Sequence, residues 1–165
     1  MNCCSRRRRA LPWAVCLAGA AAVAPVPGRA QAPGARELQV QAVGVASRPF
    51  FGGAGGGLAF RDADRNRWLG ALAVGVLDGG GMGVRGDFVY HFLLDPQKRK
   101  GSALYGGGGL SAQVAGGRVT PYVLLVVGAE NAPGGTGGSF VELGVGGGVR
   151  FAIGYRWRKR NAPGR

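Results

Sequence analysis

Few residues in this chain can do chemistry. There is one histidine, His91, and Asp87 stands four positions before it. Ser111, Ser139 and Glu142 are the side chains whose types could complete a nucleophile, base and orienting acid. Such a set would activate a serine hydroxyl for acyl hydrolysis or transfer, and it works only when all three groups lie in mutual hydrogen-bond reach. If their segment is a strand, Asp87 and His91 share a face but sit about 13 Å apart. His91 is therefore expected to be a packed, hydrogen-bonded histidine rather than a catalytic base. No His/Cys cluster has metal-ligand spacing. The glycine-rich stretches 53–57 and 106–109 lack the Lys-Ser/Thr pair and the following helix of a phosphate loop. The expectation is no catalytic residue, no metal and no cofactor.

The element that must position His91 runs from Met82 to Leu94. Its even-numbered residues are Met82, Val84, Gly86, Phe88, Tyr90, Phe92 and Leu94; its odd-numbered ones include Arg85, Asp87 and His91. A period of two is the signature of a strand, whose side chains alternate across the sheet. The same rhythm recurs along the chain, bounded by turn compositions such as Asp62–Arg67, Asp78-Gly79-Gly80, Asp95–Gly101, Gly116-Gly117-Arg118 and Asn131–Gly138. It gives seven runs, or eight if the last splits near Gly147. Eight is the preferred reading, because a closed single-chain bacterial barrel has an even number of strands. A strand of thirteen residues also exceeds the roughly 9–11 tilted residues that span a bilayer. No stretch after residue 30 is long and apolar enough for a spanning helix.

The first thirty residues read differently. Arg6–Arg9 precede an apolar run from Leu11 to Val26, and Gly28-Arg29-Ala30 offers small residues for cleavage. This order predicts a secretory signal peptide over 1–30, with the cut between 30 and 32. A linker over 31–36, a barrel over 37–158 and a basic tail over 159–165 complete the expected organisation. Cys3, Cys4 and Cys16 all fall in the signal, so the mature chain would have neither disulfides nor thiol chemistry. The full chain carries a formal charge of +13. Its basic residues do not form an arm interleaved with aromatics, and export argues against nucleic acid as a partner. The surplus charge suits anionic lipid headgroups.

Alternation alone also fits a soluble meander. Three features favour a membrane barrel: the less apolar face is mostly Gly and Ala, aromatics collect near strand ends, and the chain is exported. The expected interface aromatics are Trp68, Tyr90, Phe92, Tyr122, Tyr155 and Trp157. The expected lumen set is Arg61, Arg85, Asp87, His91, Glu142, Arg150 and Arg156, with Arg158. Charges of both signs there should pair, since an isolated ion in an apolar interior is costly.

With its glycine-rich alternating strands and the terminal Phe151-Ala152-Ile153-Gly154-Tyr155-Arg156-Trp157, the sequence resembles the small eight-stranded outer-membrane β-barrels of Gram-negative bacteria. The resemblance covers roughly residues 37–157. It departs in one respect: such chains commonly end on the final aromatic, whereas eight residues follow Trp157 here. It implies an all-β, closed, antiparallel up-and-down transmembrane barrel in the outer membrane. It further implies a monomer that contacts outer-membrane lipids, including lipopolysaccharide, and the barrel-assembly machinery during biogenesis. The expected role is structural or surface interaction, with a lumen plugged by ion pairs and no open pore. Two alternatives stand beside it: a barrel enzyme modifying lipid A or phospholipid acyl chains, and a soluble periplasmic ligand-binding barrel. In the deacylase-like pattern a histidine lies beside the serine near the last strands; here Ser139 and Glu142 are present there without one.

Overall fold

The computed structural model describes residues 35–62 and 65–160, with the side chains of Asp62 and Arg160 left aside. The expected signal peptide, its cleavage site and the far end of the basic tail lie outside these residues. Eight strands follow in order: β1 (Ala35–Ala46), β2 (Phe51–Asp62), β3 (Asn66–Leu77), β4 (Met82–Leu93), β5 (Ser102–Ala115), β6 (Arg118–Asn131), β7 (Gly137–Val145) and β8 (Val149–Arg160). Each pairs antiparallel with the next, and β1 pairs with β8 to close the barrel. The closing register sets Ala42 opposite Ile153 and Arg36 opposite Lys159. The last run does split, at residues 146–148, where Gly147 and Gly148 have φ of 74° and 143°. Few L-residues adopt that backbone, so the three glycines Gly146–Gly148 make the turn possible.

Strand edges differ slightly from the periodicity. β1 begins at Ala35 and β8 runs to Arg160, so both ends of the wall extend past 37–158. Arg67, expected in a turn, belongs to β3 and points inward, fully buried. The start of β1, the end of β8 and the connections after β2, β4 and β6 share one rim, here the terminal rim. The turns 47–50, 78–81, 116–117 and 146–148 form the opposite turn rim.

The wall has its polarity inside out. Outward residues are apolar and exposed: Leu72 is 65% exposed, Leu110 64% and Val123 70%. Between the terminal-rim residues Arg36 and Lys159, no charged side chain points out from the described wall. Inward residues include Arg67, His91 and Arg156, each at 0%. This follows from a period of two laid on a closed sheet: one face sees the lumen and the other the surroundings. Glycines on the inward face let the narrow wall bend. A Cβ placed on Gly53 would come within 2.5 Å of the Val74 carbonyl oxygen and 2.8 Å of the Gly75 Cα on β3.

Five of the six aromatics expected at an interface point outward towards the terminal rim. Trp68 packs against Tyr90 at 4.6 Å between ring centroids, and Tyr155 against Trp157 at 5.0 Å; Phe92 is exposed on β4. Tyr122 corrects the expectation. It lies on the inward parity of β6, and the Arg85 guanidinium, itself buried, sits 5.9 Å from its ring centroid. The near-continuous apolar run of β6 hid its parity: with neighbours alike on both sides, composition does not say which face is which.

Candidate functional site

The candidate site is the lumen, and it is layered. At the terminal rim, Glu37 on β1 and Glu130 on β6 face a ring of guanidiniums. Arg61 Nη2 lies 2.7 Å from Glu37 and 3.7 Å from Glu130. Arg67 Nη1 lies 3.2 Å from Glu37 and 2.7 Å from Glu130. Arg156 Nη1 is 2.6 Å from Glu130, and Arg158 reaches both acids at 3.4 Å. The connections cap this layer: Arg61 donates to the carbonyls of Pro96 and Pro133, and Arg158 to that of Ala132.

The middle layer holds His91. Arg67 Nε donates to its Nδ1 at 3.4 Å, and its Nε2 lies 3.4 Å from Glu142 Oε2. Tyr105 OH donates to Glu142 at 3.0 Å and stacks edge-on to the imidazole. Arg156 spans the lumen from Glu130 to Gln39, which it meets at 2.7 Å, and its guanidinium lies 3.9 Å from the Phe140 ring centroid. Below, Arg150 bridges Glu142 and Asp87, 3.2 Å from the latter. Asp87 also takes Arg85 Nε at 3.1 Å and the Ser111 hydroxyl at 2.6 Å. Arg85 ends on the Gly146 carbonyl in the last turn at 2.9 Å. Towards the turn rim lies an apolar cluster of Val43, Val45, Phe51, Ala73 and Ala152, with Leu77 packed against it.

Every residue expected in the lumen lies there. The structure joins Asp87, Glu142, Arg85, Arg150 and Arg156 with His91 in one continuous network and sets Arg61 in its cap. The expected lumen set missed Glu37, Gln39, Gln41, Arg67, Tyr105, Ser111, Gln113 and Glu130. Parity was the available signal for Glu37 and Gln39, which alternate with Leu38 and Val40. Arg67 and Glu130 sit at strand ends, where composition reads as turn.

Catalytic geometry is not assembled from the named candidates. Ser139 points outward and is exposed, on the opposite side of the wall from His91. Ser111 is inward, but its partner is Asp87. The described lumen holds six arginines (Arg61, Arg67, Arg85, Arg150, Arg156 and Arg158) against the carboxylates of Glu37, Asp87, Glu130 and Glu142. Each acid is shared by at least two cations. That arrangement cross-links strands, since partners on facing walls hold one another in place.

No protein-family model matches the sequence, and no curated protein matches it. Among solved structures, the chain is similar to Neisserial surface protein A. The two share 11% sequence identity with a TM-score of 0.55, over 81% of this chain and all of the other. At that identity the likeness concerns the fold, and the fold is that of the small eight-stranded outer-membrane barrels.

Proposed function

We propose that this protein is a monomeric outer-membrane barrel with a structural or surface-interaction role, its lumen closed by ion pairs. The observation that carries the reading is the inverted wall, with exposed Leu, Val and Phe outside and paired charges within. In water that arrangement would expose a contiguous apolar belt far larger than soluble monomers carry; in hydrocarbon it is the favourable one. Residues 1–30 act as an export signal cut between 30 and 32. Outer-membrane lipids, lipopolysaccharide among them, surround the wall, and the barrel-assembly machinery receives the chain. The name of the structural neighbour, a surface protein, is in keeping with this role.

The acyl-modifying alternative finds no support in the separation of Ser139 from His91. The soluble barrel is disfavoured by the outward face. The test is to express the protein, fractionate the envelope and compare boiled with unboiled samples on a gel. The protein should remain with the membrane until detergent is added and should migrate differently after heating. Leu125, at the centre of β6 and 57% exposed, provides the quantitative arm. Leu125→Arg should cost about 2–4 kcal/mol of stability in bilayers if the wall meets hydrocarbon. A change within about 0.5 kcal/mol, as at an ordinary water-facing site, would exclude it.

A further inference from the structure

Two features of the outer surface have no part in the reading above. The first is a pair of like charges. Arg36 and Lys159 are direct cross-strand partners on β1 and β8, both point outward, and both are exposed. Opposed like charges destabilise a sheet, and neither makes an ion pair with a described acid. The second is an apolar trough in the wall. Its floor is Gly56, Gly70 and Gly86, and its sides include Phe60, Trp68 and Leu110. Phe60 is also a register partner of Arg36, so the trough begins directly beside the cation pair. From there it crosses the cross-strand row Leu58, Gly70, Phe88 and Leu110, descending obliquely from the terminal rim to the middle of β5.

We propose that Arg36, Lys159 and this trough form a binding site for one anionic glycerophospholipid, headgroup phosphate between the two cations and one acyl chain along the glycine floor. The proposal rests on the membrane reading given above. Charge and shape are complementary: a phosphate relieves the Arg36–Lys159 repulsion, and a flexible chain fills a groove that the missing side chains leave. The charge distribution selects the lipid. Exposed cations crowd the terminal rim at Arg36, Arg65, Lys98, Arg99, Lys100 and Lys159, with Asp95 the described exposed acid beside them. The turn rim shows Arg48, Arg118 and Asp78. Carrying charge through hydrocarbon is costly, so the turn rim is the end that crosses during insertion. The terminal rim then stays on the side from which an exported chain arrives, the periplasmic side, whose leaflet is glycerophospholipid rather than lipopolysaccharide.

Trp68, in the trough wall, is a built-in reporter. The full chain carrying Trp13→Phe and Trp157→Phe leaves it as the single tryptophan. This protein is folded into phosphatidylcholine–phosphatidylglycerol vesicles in which one lipid or the other, at equal mole fraction, carries brominated chains that quench tryptophan. At low salt, brominated phosphatidylglycerol should quench Trp68 as though enriched about fivefold or more, from roughly a fivefold preference per basic side chain at a membrane surface. The preference should vanish in Arg36→Gln/Lys159→Gln and fall in Gly70→Leu, where an added Cβ meets no atom within 4 Å. It should persist in Arg48→Gln/Arg118→Gln at the other rim. Equal quenching by the two lipids in the parent overturns the site while leaving the membrane reading intact, and so does a preference that survives loss of both cations. Absence of quenching by either lipid overturns both. Displacement of brominated phosphatidylglycerol by substoichiometric lipopolysaccharide would overturn the glycerophospholipid assignment.

Discussion

Glu130 shows how much one buried carboxylate can carry. Arg67, Arg156 and Arg158 converge on its Oε2 at 2.7, 2.6 and 3.4 Å, from β3 and β8, and Glu130 itself comes from β6. Buried ions are expensive to strip of water, so such a pair adds little over an apolar filling, but removing one member strands the others. Glu130→Ala should therefore destabilise the barrel by about 3–5 kcal/mol, read as a shift in the urea midpoint in micelles. Tyr105→Phe tests a gentler loss. It keeps the ring that Arg67 and Arg156 approach at 5.0 and 5.2 Å but removes the hydroxyl donated to Glu142. The expected cost is about 1–3 kcal/mol by the same measurement. Arg85, Asp87, His91, Glu142, Arg150, Arg156 and Arg158 were legible as a set, because alternation assigns them a face. Their pairings were not: Arg150 meets Glu142 and Asp87 because the register sets β4, β7 and β8 across one narrow bore, and no spacing in the sequence encodes that.

Strands and turns set the next scale. Gly116 and Gly117 alone join β5 to β6, with φ of 54° and 77°. Two successive positive φ angles match the right-handed twist of the flanking strands. Gly53 and Gly70 separate two uses of glycine. Gly53 faces inward against the β3 backbone, whereas Gly70 faces outward into open space. Gly53→Val should abolish the heat-modifiable folded form, and Gly70→Ala should leave its yield unchanged, by gel shift after refolding. The sequence offered both as members of glycine-rich strands. Which of them touches a neighbouring backbone depends on strand tilt and curvature, properties of the closed sheet. The same holds for Tyr122, whose inward direction was concealed by apolar residues on both sides.

At the scale of the whole molecule, three layers follow one another along the bore: Arg61 with the Pro96 and Pro133 carbonyls, the ion-pair network, and Phe51 with its apolar neighbours. An eight-stranded barrel is just wide enough for side chains to fill. Reconstituted into planar bilayers, the protein should show no steady single-channel conductance; a reproducible open level would contradict the proposal that ion pairs close the lumen. Alternation and turn chemistry marked seven or eight strands, since both are local consequences of the pleat and of tight-turn geometry; eight was preferred because closed single-chain bacterial barrels have an even count, and the structure has eight. Closure decided the rest. Only when β1 meets β8 does Glu37 come within reach of Arg158, and Glu130 of Arg67, partners far away in the chain, and only then does Arg36 face Lys159 across the closing seam. Local pattern fixes which face a residue takes; contacts between distant segments depend on the stagger of the whole sheet, which no short stretch contains.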